Sequence, residues 1–310
     1  MKSTVKRFIA FTVPKLPIPV MAAVANSFGT ASYDILKVLA RKFNVVSIGV
    51  AGDYGIIQGD LNDAIIVDTY ARTGAWAANT NSLIASFFDK SGGGTYIDVG
   101  ANIGLTTIPV ARNRAVRCHA VEADPMNYAH LAQNVMRNCT YGNVTTYEVA
   151  AFSREAELPF ALSNVNFGDH RIRLGNAAES EEERSRKTIT VQARPLDAIV
   201  PAVAGPLAVK IDTQGAEPFV IAGGAKVLAH CEFLIMEFWP YGMSLLEADP
   251  EIVFAFIESH FGTMTALSPQ ETVAIAQMPV SEAVPELRRF FADKRSDENW
   301  HIDIVATRAS

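Results

Sequence analysis

The sequence predicts an α/β protein whose sheet is mostly parallel and covered by helices on both faces. Three observations predict it. From residue 95 onward, strand-like runs alternate with helix-like runs. The runs "TYIDVG", "LAVKID" and "FLIME" are nearly continuous in apolar residues, as strands buried on both faces are. The first of them breaks into "GANIG", a two-glycine corner that leads into a helix. In an open α/β sheet, ligands bind beyond the carboxyl ends of the strands, where such corners lie.

Residues 1–90 read as an α+β extension, ahead of a doubly wound domain over 91–310. In the extension, apolar spacing predicts a helix over 20–43. "VVSIGVAG" and "AIIVDTY" read as short strands around the turn-rich "GDYGIIQGDLND". A helix is expected over about 79–90, with Leu83, Ile84, Phe87 and Phe88 inward. In the main domain "TYIDVG" is the first strand, followed by a helix in 103–114 that Pro109 shortens. "RCHAVEA" is the second strand. Asp124-Pro125 then supplies an N-cap and first-turn proline for a helix over 125–138. "NVTTYEVAAF" is the third strand. "PLAVKIDTQG" and "CEFLIMEFW" are later strands around a helix over 216–229 that Gly223-Gly224 interrupts. "TMTALS" and "HIDIVATR" close the chain as strands, with helices near 250–259 and 284–293. Strand-like "AELPFALS" and "TITVQAR" flank an irregular stretch whose charge run, 179–187, reads as a solvated loop or a flap beside the site.

Composition narrows the class. The chain has 310 residues, 49% hydrophobic and 19% charged, enough for a large core in a soluble globular protein. A net charge of -6 argues against non-specific nucleic-acid binding. Cys118, Cys139 and Cys231 show no C-x-x-C spacing, which suggests reduced thiols and a cytoplasmic protein. The N-terminal apolar run is broken by Pro14, Lys15, Pro17 and Pro19, which spoils a signal-peptide core. No stretch reaches the roughly 18 apolar residues of a membrane span, though the basic, apolar N-terminus is compatible with peripheral contact.

The corner implies an adenosine ligand. Gly100 and Gly104 permit close backbone approach, and Glu122, at the end of the second strand, can accept from ribose hydroxyls. A dinucleotide needs G-x-G-x-x-G around a pyrophosphate. Here Asn102 sits in the middle of the corner and Asp98 precedes it. A carboxylate repels pyrophosphate and suits the cationic groups of S-adenosylmethionine. The plainer reading is that Asp98 caps a helix and the glycines make a tight turn.

"YIDVGANIGLTT", "HAVEADPMNYAHLAQN", "KIDTQGAEPFVIAGGAKVL" and "FLIMEFWP" together resemble the FkbM family of methyltransferases, in the family's order, over about 45–308. The resemblance implies a Rossmann-like, seven-stranded class I methyltransferase sheet with a reversed last strand. It implies O-methylation of a hydroxyl on a saccharide, glycan or natural product. It places Asp98, Gly100, Asn102 and Gly104 at the methionine end of the donor, Glu122 at the ribose, and the backbone of Ala151 and Phe152 beside the adenine. Gln214 departs from the family, which often has Glu there.

A hydroxyl is a poor nucleophile until its proton is removed, so a base or a metal is expected. Asp212 and Glu237 end adjacent strands at the same edge as the corner. They can act as base and orienting acid, or hold Mg²⁺. An ion pair with Lys210 is the alternative for Asp212, and a helix N-terminal place is expected for Glu217. His170 is the histidine candidate for a base, with Asn166 and Arg171 beside it in the irregular stretch. His119, His130 and His230 read as structural. Trp239 and Tyr241 offer an aromatic wall for a sugar-like acceptor, or simple core packing. A non-catalytic adenosine-binding scaffold and a nicotinamide-dependent oxidoreductase are the competing readings. Residues 1–90 read as a cap over the substrate or as an element of a homo-oligomer.

Overall fold

The computed structural model describes residues 37–38, 45–174, 181–200, 202–268 and 273–308. The chain divides into two compact units, Met1–Trp76 and Ala77–Ser310. The helix expected over 20–43 lies outside the described residues except for 37–38, which are helical.

In the first unit, β1 (Ser47–Gly52) and β2 (Gly55–Asp60) form an antiparallel hairpin, and helix α1 spans Ile66–Thr73. So "GIIQGD", read as a turn, is a strand, and "AIIVDTY", read as a strand, starts a helix. Asp63 decides the second case. Its carboxylate accepts from the backbone N–H groups of Ile65, Ile66 and Val67. That satisfies the open donors of a helix start, against the extended preference of Ile and Val.

The second unit begins with helix α2 (Ala78–Ser91). The division between units therefore falls upstream of residue 90. Ile84 and Phe88 of α2 are buried with Tyr96 and Val116 of the sheet, which ties the helix to this unit.

The strands of this unit follow in chain order. They are β3 (Gly94–Val99), β4 (Val116–Glu122), β5 (Val144–Glu148), β6 (Ala150–Ala151), β7 (Ala156–Leu162) and β8 (Arg171–Ile172). Then come β9 (Lys187–Arg194), β10 (Leu207–Ile211), β11 (Cys231–Phe238), β12 (Thr263–Leu267), β13 (Val273–Pro279) and β14 (Ile302–Thr307). The large sheet has the order β13-β12-β14-β11-β10-β3-β4-β5. The run from β11 to β5 is parallel. β14 is antiparallel to β11 and β12, which is the reversed last strand. The expected seven strands are present, and β13 adds an eighth at one edge. β13 escapes a sequence reading because an edge strand buries little: Ile275 is buried and Met278 partly so, and its other residues are exposed.

The helices are α3 (Thr107–Ala111), α4 (Pro125–Asn138), α5 (Glu181–Ser185), α6 (Leu196–Ile199) and α7 (Glu217–Gly223). They are followed, among the described residues, by α8 (Ala225–Leu228), α9 (Pro240–Leu245), α10 (Glu251–His260) and α11 (Val280–Lys294). α4 starts as its sequence predicts, with Asp124 Oδ1 accepting from the Asn127 N–H at 2.8 Å. Pro109 keeps α3 to five residues.

"NVTTYEVAAF" is not one strand. The Val149 N–H donates to Glu122 O, and Ala150–Ala151 leave the large sheet to pair with β9. They join a four-stranded sheet of order β6-β9-β7-β8. The charge run is also not a simple solvated loop. Its described part holds α5, and Glu183 and Arg186 are buried in ion pairs. Among the described residues, no helix is long and apolar enough to cross a membrane.

Candidate functional site

Strand side chains alternate between faces, so residues in step by twos share one. Tyr96, Ala208, Phe233, Ile235 and Val305 pack together on one face of the large sheet. Asp98, Lys210, Glu237 and Asp303 are in step with them and fall on the same face. The parallel register sets Lys210 directly beside Asp98, and the antiparallel register sets Glu237 beside Asp303. Asp98, Lys210 and Glu237 stand near the carboxyl ends of β3, β10 and β11, and Asp303 near the amino end of antiparallel β14.

Asp98 is fully buried. Its Oδ2 accepts from Thr106 Oγ1 at 2.7 Å and Thr107 Oγ1 at 2.6 Å. Its Oδ1 has no hydrogen-bond donor and lies 3.9 Å from Lys210 Nζ. The two threonines follow the corner and carry no signal of this role in the sequence.

Gly100 has φ +80°, and a Cβ there would sit 1.9 Å from the Asp212 carbonyl oxygen. The glycine is required by the close passage of two strand ends. Gly104, also left-handed, faces Leu131 and Ile108. Asn102 takes the left-handed region at φ +50°. Its N–H donates to Glu122 Oε2 at 2.8 Å, and its Nδ2 donates to Phe167 O at 2.9 Å. Glu122 is buried, and its Oε1 accepts from the Asp124 N–H at 2.7 Å. Burial pushes its carboxyl up to about 7, against the pull of these backbone donors. The chain after β5 passes the end of β4, where the Val149 N–H donates to Glu122 O and Ala150–Ala151 follow, and the Phe152 N–H then donates to Arg194 O. Both are buried, and the Phe152 ring stacks on Phe219 at 4.6 Å.

The other half of the edge is an acid cluster. Lys210 Nζ donates to Asp212 Oδ2 at 3.0 Å. The ion pair therefore forms, because residues two apart on a strand share a face. Burial raises the Asp212 carboxyl, but Lys210 and Gln214 more than reverse this and hold it below the ordinary range. Asp212 keeps 36% of its side chain exposed, so it remains open to an incoming group. Gln214 Nε2 donates both to Asp212 Oδ1 and to Glu237 Oε2. Burial first, then Asp212 and Glu217, hold the Glu237 carboxyl well above its ordinary value.

Glu217 is a helix N-terminal residue, as expected. Its Oε1 accepts from the Thr213 N–H, Thr213 Oγ1 and Gly215 N–H. Burial pushes it up to about 7. Mg²⁺ at Asp212 would have to share the carboxylate with the Lys210 ammonium, 3.0 Å from Oδ2, while Gln214 donates to Asp212 Oδ1 and Glu237 Oε2. Among the described residues, no group of three or more His, Cys, Asp and Glu is placed to hold a metal.

The stretch after β7 lies against the two-glycine corner and the start of α4. The Phe167 carbonyl accepts from Asn102 Nδ2 and from Asn127 Nδ2 at 3.0 Å. His170 does not join Asp212 and Glu237. Its Nδ1 lies 3.7 Å from Asp124 Oδ2, its Nε2 lies 3.3 Å from Ser163 O, and its ring packs on Phe160 and Phe167. Burial holds it below the ordinary imidazole value, against Asp124. Asn166 Oδ1 accepts from the Gly168 N–H at 3.0 Å. Arg171 is buried, pairs with Asp169 and Glu183, and lies 5.0 Å over the Trp239 ring. With Arg171 on its face and Nε1 donating to Glu298 O, Trp239 is packed rather than offered as a wall; Tyr241 tilts against it. His119 is structural, stacked on Tyr147.

Sequence reasoning set aside Lys210 and Gln214 and missed Thr106, Thr107, Asn127 and Phe167. The period of two along "VKID" is the signal that finds Lys210.

A precorrin-6y C5,15-methyltransferase from Geobacter metallireducens is 11% identical, with a TM-score of 0.35, over 74% of this chain and 87% of that one. Pyrococcus horikoshii TYW2, solved in complex with MeSAdo, is 9% identical, with a TM-score of 0.43, over 89% and 83%. No curated protein matches the chain. The domain model described as "Methyltransferase FkbM domain" matches residues 98–295, from the two-glycine corner through the acid cluster and into α11. The chain belongs to the FkbM methyltransferase family.

Proposed function

We propose that the protein transfers a methyl group from S-adenosylmethionine to a hydroxyl of a neutral, hydroxyl-rich acceptor, a saccharide or natural product. The observation that carries this reading is the pairing of a buried, open Asp98 oxygen with a partly exposed Asp212 at one sheet edge, joined through Lys210. The donor side is acidic, which suits a ligand bearing ammonium, sulfonium and ribose hydroxyls. Asp98 Oδ1 has capacity for a cationic donor group, and the Glu122 carboxylate has lone-pair capacity beyond its bonds from the Asn102 and Asp124 N–H groups. The Asn102 N–H, which a nicotinamide dinucleotide would need for its phosphates, is spent on Glu122. The backbone at Ala151 and Phe152 borders the adenine in this reading.

S-adenosylmethionine supplies a methyl group already activated on a sulfonium sulfur, so alignment provides much of the rate. Asp212 orients the acceptor hydroxyl and takes its proton as the oxygen–carbon bond forms and the carbon–sulfur bond breaks. Its low pKa keeps it ionised and makes it a weak base, so the proton moves as methyl transfer proceeds. Glu237, the acid of the pair that keeps its proton, donates to the acceptor and fixes its orientation. His170 holds the Phe167 stretch at the donor side and is assigned no proton transfer.

Calorimetric titration with S-adenosylmethionine, S-adenosylhomocysteine and NAD tests the donor. Methyl-labelled donor with panels of hydroxylated, amine and carboxylate acceptors, with EDTA present, tests the transfer. Saturable binding of both sulfur nucleotides and labelling of hydroxyls is expected. Binding without transfer to any panel favours a non-catalytic scaffold, and labelling of amines alone overturns the hydroxyl assignment.

A further inference from the structure

The proposed reaction employs Asp98, Glu122, Asp212 and Glu237 and leaves Lys210 without a task. Lys210 is nine-tenths buried and lies on β10, between the donor strand β3 and the acceptor-side strand β11. Its ammonium hydrogen-bonds the more exposed acid, Asp212, at 3.0 Å and stands 3.9 Å from Asp98 Oδ1. A purely structural ion pair would satisfy the buried oxygen first, since an unmet buried acceptor is costly. Here the buried oxygen is the unmet one.

The charges of this trio have a consequence. Two carboxylates and one ammonium sum to one negative charge. A ligand head with an ammonium, a carboxylate and a sulfonium carries one positive charge and completes the balance. The same head after transfer is a neutral thioether and carries none. We infer that Lys210 is a specificity-determining residue that sets the relative affinity of the site for the sulfonium donor and its thioether product. This inference rests on the donor reading above.

During transfer the electron pair of the carbon–sulfur bond goes to sulfur, and the positive charge there is lost. Two unbalanced carboxylates would hold the sulfonium more tightly than the transition state and slow that loss. Lys210 removes one of the two negative charges and so lessens ground-state over-binding.

The test is calorimetric titration of the full chain with S-adenosylmethionine and with S-adenosylhomocysteine. Wild type is compared with Lys210→Met, with Lys210→Gln, which keeps a donor for Asp212, and with Lys210→Arg, which keeps the charge. The two neutral variants should shift the donor-to-product affinity ratio toward the donor by roughly tenfold, as expected for one nearby buried charge. Lys210→Arg should leave the ratio within about twofold. If one neutral variant does not fold, the other carries the comparison. An unchanged ratio in the folded neutral variants, or equal loss of both ligands, overturns the inference while the donor reading stands. Wild type that binds neither nucleotide overturns the donor reading and the inference together.

Discussion

Gln214 Nε2 donates to Glu237 Oε2 at 2.9 Å, and the same nitrogen donates to Asp212 Oδ1 at 3.0 Å. One amide nitrogen has two N–H groups, and each is given to a different acid. The residue adopts φ +55°, a region that costs a non-glycine residue energy. Gly215 follows it at φ +98°, where a Cβ would meet the Gly242 backbone at 2.4 Å. A strained turn packed on α9 thus delivers the amide between two carboxyls. Asp212 lies below its ordinary pKa and Glu237 well above, the separation expected of a base and an acid.

Gln214→Ala removes the bridge and frees both acids to rotate. The expected result is a fall in kcat of about tenfold, the loss of roughly 1.4 kcal/mol of alignment, with donor affinity within about twofold of wild type. Steady-state kinetics on the acceptor found by labelling checks this. A fall in donor affinity with kcat unchanged would place Gln214 on the donor side instead.

Asp98→Asn puts an N–H group on the side of the buried carboxylate that now faces Lys210. Donor and product binding should both weaken by roughly 100-fold, because each carries an ammonium that loses a charged partner. Calorimetry reads it directly, and retained affinity would show that Asp98 serves only Thr106 and Thr107.

Gly100→Ala should be severe. Its Cβ would be 1.9 Å from the Asp212 carbonyl oxygen at φ +80°. A loss of at least about 3 kcal/mol is expected, from the clash and the left-handed backbone together. Gly92→Ala, at φ +74° with open space around its Cβ, should cost only about 1–2 kcal/mol. Denaturant unfolding of both variants separates clash from conformation.

Glu122 and Glu217 are both raised from 4.5 to about 7 by burial. A raised carboxyl binds its proton more tightly folded than unfolded, so the ionised form opposes folding. That cost is absent below about 4.5, grows as pH climbs through the window to 7, and levels off above it. Stability should therefore fall between pH 5 and pH 8. Glu217→Gln should flatten that fall by roughly 2 kcal/mol, measured by unfolding at several pH values. An identical slope in the variant would show that Glu217 ionises without cost.

The main sheet was legible because buried parallel strands are written as continuous apolar runs. "TYIDVG", "LAVKID" and "FLIME" could hardly be placed elsewhere, and Asp124-Pro125 marks the start of α4. "AIIVDTY" was not legible, because its strand-like composition is overruled by the Asp63 cap. β13 was missed because an edge strand leaves little apolar trace. In the candidate site, Asp98, Glu122, Asp212 and Glu237 were singled out from their places at strand ends, and the fold puts Asp98 and Glu237 on one face of the sheet with Lys210. Their partners were not found, since Asn127 and Phe167 are 40 residues apart and meet only through the fold.

Local pattern and residue type were enough for the family, the parallel α/β class and the acids at the ends of individual strands. Tertiary structure decided which oxygen of Asp98 is open, that Lys210 stands between two acids, that Gln214 bridges Asp212 and Glu237, and that His170 lies with Asp124. Those facts depend on register and on which loops cross the sheet edge. Register and crossing are settled by packing among distant segments, which a local pattern does not contain.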